Sequence, residues 1–183
     1  MDSPTFVTIV TPQGERVEVD LDYLPENSLW AALALDKEEE IVIPASVPVP
    51  ARADGKKGSL MMPLSEKIVS KLFDFLDVLK GGNLPVVGVD DNMKLGTRVL
   101  MVGAEKPVLR SLGSRTDASL FLTPEQHAIV SDLSISELID LSLAAIYFGF
   151  DELNEMALAK LVTVKNVDGN EALVMDEIQR LPQ

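Results

Sequence analysis

Residues Ser136–Lys160, SELIDLSLAAIYFGFDELNEMALAK, predict two helices separated by a short turn. From Leu138 to Phe148 only two residues are polar, and a helix that is apolar on most sides is normally buried. Gly149 predicts the end of the first helix. The acidic pair Asp151-Glu152 suits the N-terminal end of the second helix, where the helix dipole favours negative charge.

The second helix of this pair is apolar around much of its circumference. Its apolar side chains include Leu153, Met156, Leu158, Leu161 and Val162. The following polar segment holds one short helix candidate, Glu171–Arg180, which we expect to be too small to cover all of this surface. The sequence therefore predicts an uncovered apolar patch rimmed by acids, the kind of surface that a partner helix fills. The alternative is that these side chains belong to the core, the more common role of an apolar stripe.

Helix starts elsewhere in the chain carry clear capping signals. Thr123–Gln126 and Ser134–Glu137 both have the capping-box pattern, the first with Pro at the first helical position. Ser65–Lys80 has apolar residues at the helical period, and glycines at 81 and 82 supply a stop. Ser28 is a plausible N-cap for a short helix over Leu29–Leu35.

The N-terminal region reads as β structure. Thr5–Val10 and Arg16–Leu21 alternate apolar and polar residues around a Pro-then-Gly turn, which predicts a β-hairpin. Ile41–Gly58 is Pro-rich and then Lys/Gly-rich, so we interpret it as a loop with extended character. Leu60–Leu64 predicts a short strand. Residues 83–122 have no helical period, and either an extra hairpin or a partly ordered insertion fits them.

Composition bounds the class of protein. The chain has 183 residues and 46% apolar content, a length that favours one domain. It has no Cys, which excludes thiol catalysis and Cys-based zinc sites and favours a cytoplasmic or nuclear location over a secreted one. The longest apolar run, Leu29–Leu35, is far shorter than the roughly 20 residues that span a bilayer, so we expect no membrane partner.

Charge argues against nucleic acid as a partner and shows where acidity concentrates. The net charge is −13, whereas phosphate binding needs a clustered basic surface. Residues 1–60 carry −6, residues 61–123 carry +1 and residues 124–183 carry −8. A partner surface on the C-terminal helices should therefore have an acidic rim and meet a basic face.

Motifs for chemistry are absent from the sequence. It contains no glycine-rich nucleotide-binding loop, no nucleophile elbow and no zinc-protease helix. The only His, His127, follows a capping box near a helix start, where an imidazole is ordinary. We therefore expect a protein without catalytic residues, cofactor or metal.

Four segments of the chain resemble the BTB/POZ-fold adaptors of cullin-based ubiquitin ligases, the Skp-type adaptor and elongin C. These segments are Thr5–Asp20, Asn27–Asp36, Met62–Gly81 and Ser136–Lys160. The last is the most specific, with the pattern E-L-x-x-L-x-x-A-A-x-Y-[LF] followed by a second helix.

The resemblance implies an α/β (α+β) fold with a small, mainly three-stranded sheet and a helical cluster. A BTB/POZ-like domain would span residues 1–161, with residues 83–122 as the family's variable insertion. Residues 162–183 would form a short C-terminal helical extension.

The resemblance also implies a function: a non-catalytic adaptor that bridges a cullin and an F-box-type substrate receptor. Ile146 and Tyr147 would lie on the cullin-facing side, with Ile146 where the family usually has Asn. The F-box-type surface would begin at Leu153, Met156, Ala157, Lys160 and Leu161. The family's acidic, Trp-containing last helix has no counterpart up to Gln183, so we expect this grip to be reduced or replaced.

Two other hypotheses stay open. A structural or assembly protein could use the same fold as a homodimer or scaffold subunit outside ubiquitin ligases, and Ile146 and the missing last helix favour this alternative. An enzyme on a divergent α/β domain would instead require a buried polar pocket with a perturbed acid pair.

Overall fold

The computed structural model describes residues 6–36, 39–48, 61–81, 116–120 and 122–180, which form a mixed α/β structure. The strands are β1 (Phe6–Val10), β2 (Arg16–Asp20), β3 (Glu40–Val42), β4 (Ser46–Pro48) and β5 (Met61–Pro63). The helices are α1 (Leu29–Leu35), α2 (Glu66–Lys80), α3 (Pro124–Val130), α4 (Ile135–Phe148), α5 (Asp151–Lys165) and α6 (Asn170–Arg180). Two short 3-10 helices are Leu21–Tyr23 and Ala118–Leu120.

The larger sheet has three strands, as expected, and their order is β2-β1-β3. β1 and β2 form the predicted antiparallel hairpin, with Ile9 opposite Val17, and β3 adds to β1 in parallel. Alternate side chains share a face, so Val7, Ile9 and Ile41 are buried on the inner side. A second sheet pairs β4 with β5.

The stretch expected as a loop, Ile41–Gly58, contains most of β3 and all of β4 in its described part. Each of these strands has three residues, too few to show an alternating pattern. Residues 49–58 of this stretch lie outside the described part of the chain, as does most of the predicted insertion, residues 83–122.

Helix α1 begins where predicted, but a different side chain anchors it. The Ser28 hydroxyl accepts a hydrogen bond from the Ala31 N–H at 3.1 Å. The helical period of the sequence places Leu29, Ala32 and Leu33 on one face, whereas Trp30 is the one residue of α1 that is fully buried. Its ring contacts three phenylalanine rings at centroid distances of 5.2–5.8 Å: Phe73, Phe148 and Phe150. The large aromatic ring therefore sets the rotation of this short helix.

The C-terminal helices belong to the same hydrophobic core as the sheet. α5 continues to Lys165, so the predicted boundary between residues 161 and 162 falls inside a helix. Val174 of α6 is part of the core cluster. No helix in the described ranges is long and apolar enough to cross a membrane.

Candidate partner-binding surface

The turn between α4 and α5 is built for glycine at one position. Gly149 ends α4 with φ +73°, a left-handed conformation that strains other residues. A Cβ there would lie 2.4 Å from the backbone oxygen of Asn27, next to the start of α1. The Phe150 N–H then donates to the Ala145 carbonyl at 2.8 Å. This turn fixes the helix pair and packs it tightly against α1.

The two residues predicted to face a cullin lie side by side in the last turn of α4. Ile146 and Tyr147 are both half-buried. The Tyr147 ring packs edge-on against Phe148, with centroids 4.9 Å apart. Part of each side chain remains accessible to a partner.

The residues predicted to begin an F-box-type surface are mostly inside the protein. Leu153, Met156, Ala157 and Leu161 are at most 1% exposed, and Lys160 is half-buried. The prediction of an uncovered apolar patch on this helix is therefore wrong. α5 packs against α3, α4, α6 and the 3-10 helix Ala118–Leu120, which together enclose it.

Buried polar contacts also hold α5 in place. The Ser142 hydroxyl of α4 donates to the Asn154 side-chain oxygen, and both side chains are buried. Separating these two buried side chains would cost free energy, because each would lose its hydrogen-bond partner in an apolar interior. The α4–α5 pair is thus a unit of the core.

A second polar contact joins α3 to α5. Gln126 completes the capping box of α3 by accepting from the Thr123 N–H at 3.0 Å, and its side-chain N–H donates to Glu152 at 3.1 Å. Gln126 is fully buried. Burial raises the pKa of Glu152, while the hydrogen bond from Gln126 partly opposes that rise.

Two lysines of α2 hold the start of α4. Lys71 lies 2.7 Å from the Asp132 carboxylate, and Lys67 lies 3.1 Å from Glu137, whose carboxylate also accepts from the Ser134 N–H. The hydrogen bond from Lys71 lowers the pKa of Asp132, and that from the Ser134 backbone is the main reason that the pKa of Glu137 is lowered. The capping box of α4 is therefore tied to α2, because its Glu137 carboxylate also pairs with Lys67.

Helix α6 is more exposed to solvent than the helices beneath it. Among residues 170–177, whose side chains the structure describes, Val174 is the one buried residue, and Leu173 is 54% exposed. In the preceding turn Val167 is 43% exposed. We call the exposed side chains Val167, Asp168, Glu171, Leu173 and Asp176 the α6 surface. It combines apolar and acidic groups, as the sequence predicted for a partner surface, but on the next helix.

Acidic groups also meet beneath α6. Asp140 of α4 is half-buried, and its pKa is raised, first by burial and then by the carboxylates of Glu137 and Glu177. Among the described residues, no group of three or more His, Asp or Glu side chains is arranged to hold a metal ion.

No family model, no curated protein and no solved structure matches this chain.

Proposed function

We propose that this protein is a non-catalytic adaptor with a BTB/POZ-like fold that joins a cullin scaffold to an F-box-type substrate receptor. The order of elements supports the proposal. The four segments that resemble the adaptor family form, in turn, a β-hairpin, a Ser-capped helix, a long helix and a helix pair. The small three-stranded sheet beside a helical cluster is also compatible with it.

The observation that carries the proposal is the α6 surface. Val167 and Leu173 are 43% and 54% exposed, and the exposed carboxylates of Asp168, Glu171 and Asp176 lie on the same helix or in the turn before it. Glu171 also pairs with Lys165 at 3.8 Å. An apolar surface rimmed by acids suits an amphipathic helix with basic flanks, which is the chemistry expected of a receptor helix. We therefore assign receptor binding to this surface, in place of the buried side chains of α5.

The cullin-type contact is assigned to the last turn of α4. Ile146 and Tyr147 are half-buried there, next to the rigid Gly149 turn. A rigid support of this kind lowers the entropic cost of binding, because the side chains are already held in place.

Affinity purification of the tagged chain followed by mass spectrometry tests both contacts. We expect the unchanged protein to recover a cullin and F-box-type proteins. Leu173→Glu should lose the F-box-type proteins and keep the cullin, and Ile146→Glu should do the reverse. Leu35→Glu, at a leucine of α1 that is 83% exposed, serves as the control and should keep both. If the unchanged protein recovers neither a cullin nor an F-box-type protein, the proposal is contradicted.

Self-association is the second candidate, and one observation favours it. On the outer face of the three-stranded sheet Phe6 is 54% and Val42 is 66% exposed. Light scattering after size exclusion distinguishes the two functions: a stable dimer that Val42→Ser reduces to monomer supports assembly as the main role.

A further inference from the structure

The free edge of β2 has backbone hydrogen-bonding groups that the sheet does not use. Within the described chain β2 pairs with β1 alone, because the strand order is β2-β1-β3. The Thr11 N–H donates to the Glu15 oxygen at 2.8 Å, and Ile9 lies opposite Val17. Hydrogen-bonded positions alternate along an antiparallel pair, so residues 15, 17 and 19 direct their N–H and C=O groups toward β1. Arg16, Glu18 and Asp20 direct theirs away from the sheet.

The bonds on the other side of β1 agree with this assignment. The Thr8 N–H donates to Glu39 at 3.3 Å, and Val10 accepts from the Ile43 N–H at 2.8 Å. Even-numbered residues of β1 therefore bond toward β3, which leaves Val7 and Ile9 to bond toward β2.

The charge along this edge is acidic. The side chains of Arg16, Glu18 and Asp20 lie on the outer face, opposite the buried Val19. Arg16 is already paired with Glu40 of β3 at 2.8 Å, across β1. The Asp20 carboxylate accepts from the Asp22 N–H at 3.0 Å as the N-cap of the 3-10 helix Leu21–Tyr23, so Glu18 is the main charge that can meet a partner strand.

The inner side of the same edge is apolar. Val17 faces the core but remains half-buried, since β2 is the last strand on this side. A further strand would place alternate side chains on this inner side, where apolar ones would complete the cover of Val17.

We propose that the β2 edge binds an extended segment of a partner polypeptide in which Lys or Arg alternates with β-branched apolar residues. Backbone bonds to Arg16, Glu18 and Asp20 supply affinity, and the alternating side chains supply selectivity. A second copy paired antiparallel about Glu18 would put Glu18 opposite Glu18, and its two Arg16–Asp20 pairs would compete with the bond that Arg16 already makes to Glu40, so a basic strand of a different polypeptide fits better. The proposal uses a different element from the α6 surface and does not depend on the adaptor function.

The probe is a capped, fluorescently labelled peptide, Lys-Val-Lys-Thr-Lys-Val-Lys, titrated with the full-length protein at physiological salt. A peptide of the same composition with its lysines grouped together tests alternation, and an all-Glu counterpart tests charge. We expect the alternating peptide to bind at least about 5-fold more tightly than the grouped one, because only it presents separate basic and apolar sides.

Variants of β2 separate charge from backbone bonding. Glu18→Thr removes the charge and keeps the outward N–H, and we expect it to weaken binding about 3-fold. Glu18→Pro also removes the N–H without disturbing the bonds to β1, as proline is tolerated on an edge strand, and should weaken binding about 10-fold. Glu18→Lys is matched by Asp74→Lys, which makes the same charge change at an exposed site of α2 and should leave binding unchanged.

Two results would overturn the proposal. One is an equal loss of affinity for Glu18→Lys and Asp74→Lys, which would mean attraction by overall charge. The other is equal binding of the alternating and grouped peptides, which would mean that no strand is added. Slower hydrogen exchange at the amides of Arg16, Glu18 and Asp20 in the complex would support strand addition directly, and unchanged exchange there would contradict it.

Discussion

Helices α5 and α6 are neighbours in sequence and in space, yet they have opposite relations to solvent. Nine residues of α5 are buried, including Asn154 and Thr163, whereas among residues 170–177 of α6 Val174 is the buried one. α5 packs against other elements on several sides, and α6 packs against α4 and α5. Apolar content alone therefore does not mark a binding helix. The more apolar helix of the two belongs to the core, and the more polar helix that packs on it is exposed to solvent.

The strongest test of this contrast is a charge placed on each helix. Met156→Glu should prevent folding. A domain is stable by only about 5–15 kcal/mol, and burying a carboxyl group without a partner removes much of that stability. Leu173→Glu, on the α6 surface, should change the free energy of unfolding by less than about 0.5 kcal/mol. Circular dichroism with urea titration measures both. A folded Met156→Glu protein would show that α5 is not core.

The turn between α4 and α5 offers the next largest effect. Gly149→Ala combines a left-handed backbone with a clash against Asn27 and should cost about 3 kcal/mol. Gly14→Ala has a similar φ of +87° but open space around it, and should cost about 1 kcal/mol. The difference between the two midpoints in urea isolates the packing of the turn against α1. Equal losses would mean that the close approach to Asn27 relaxes easily.

Truncating the anchor of α6 should separate the two helices dynamically. Val174→Ala shortens a side chain that α6 buries in the core cluster and should cost about 1.5 kcal/mol. Because the loss falls where α6 packs on the other helices, hydrogen exchange should accelerate at the amides of α6 and stay slow in α4 and α5. Uniform acceleration in all three helices would show that they open as one unit.

The smallest expected effect concerns Asp140, between α4 and α6. Since its pKa is raised in the folded protein, the folded state binds a proton more readily than the unfolded chain does. The associated stability is present below the ordinary pKa of 3.8 and is lost as pH rises through the folded-state value. Asp140→Asn should therefore stabilise the protein at pH 7 by about 0.5 kcal/mol, a modest gain because the group is half-exposed.

The pH dependence supplies the control for that variant. Below pH 3.8 the carboxyl group of Asp140 is protonated in both states, so the gain should disappear. Thermal unfolding of both proteins at several pH values measures it, and a gain independent of pH would assign the effect to packing.

Local signals in the sequence predicted the helix starts well. Ser28, Thr123 and Ser134 cap helices as expected, because a cap depends on a few adjacent residues, and Ser65, expected as the first residue of a helix, caps α2. The β1–β2 hairpin was predictable for the same reason. Strands β3 and β4 are too short to carry a pattern, and the parallel pairing of β3 with β1 depends on distant residues.

The candidate site was less predictable because burial depends on tertiary packing. α4 was correctly predicted to be buried because it is apolar on most sides. α5 has apolar side chains around much of its circumference and is buried for the same reason. What the sequence did not show is that the following polar helix, which buries Val174, covers part of it. The exposed positions of α6 follow from that docking and could not be assigned beforehand.

Trp30 gives the protein an internal spectroscopic reporter. It is the chain's sole tryptophan, and it lies where α1, α2 and the α4–α5 turn converge on four aromatic rings including its own. Its indole N–H is buried and finds no hydrogen-bond acceptor within the described residues, so its emission should be blue-shifted and insensitive to quenchers dissolved in water. Binding at the α6 surface or at β2 should leave that emission unchanged, whereas separation of α1 from the helix pair should shift it to the red. One fluorescence spectrum can therefore tell whether a partner merely binds the protein or also opens it.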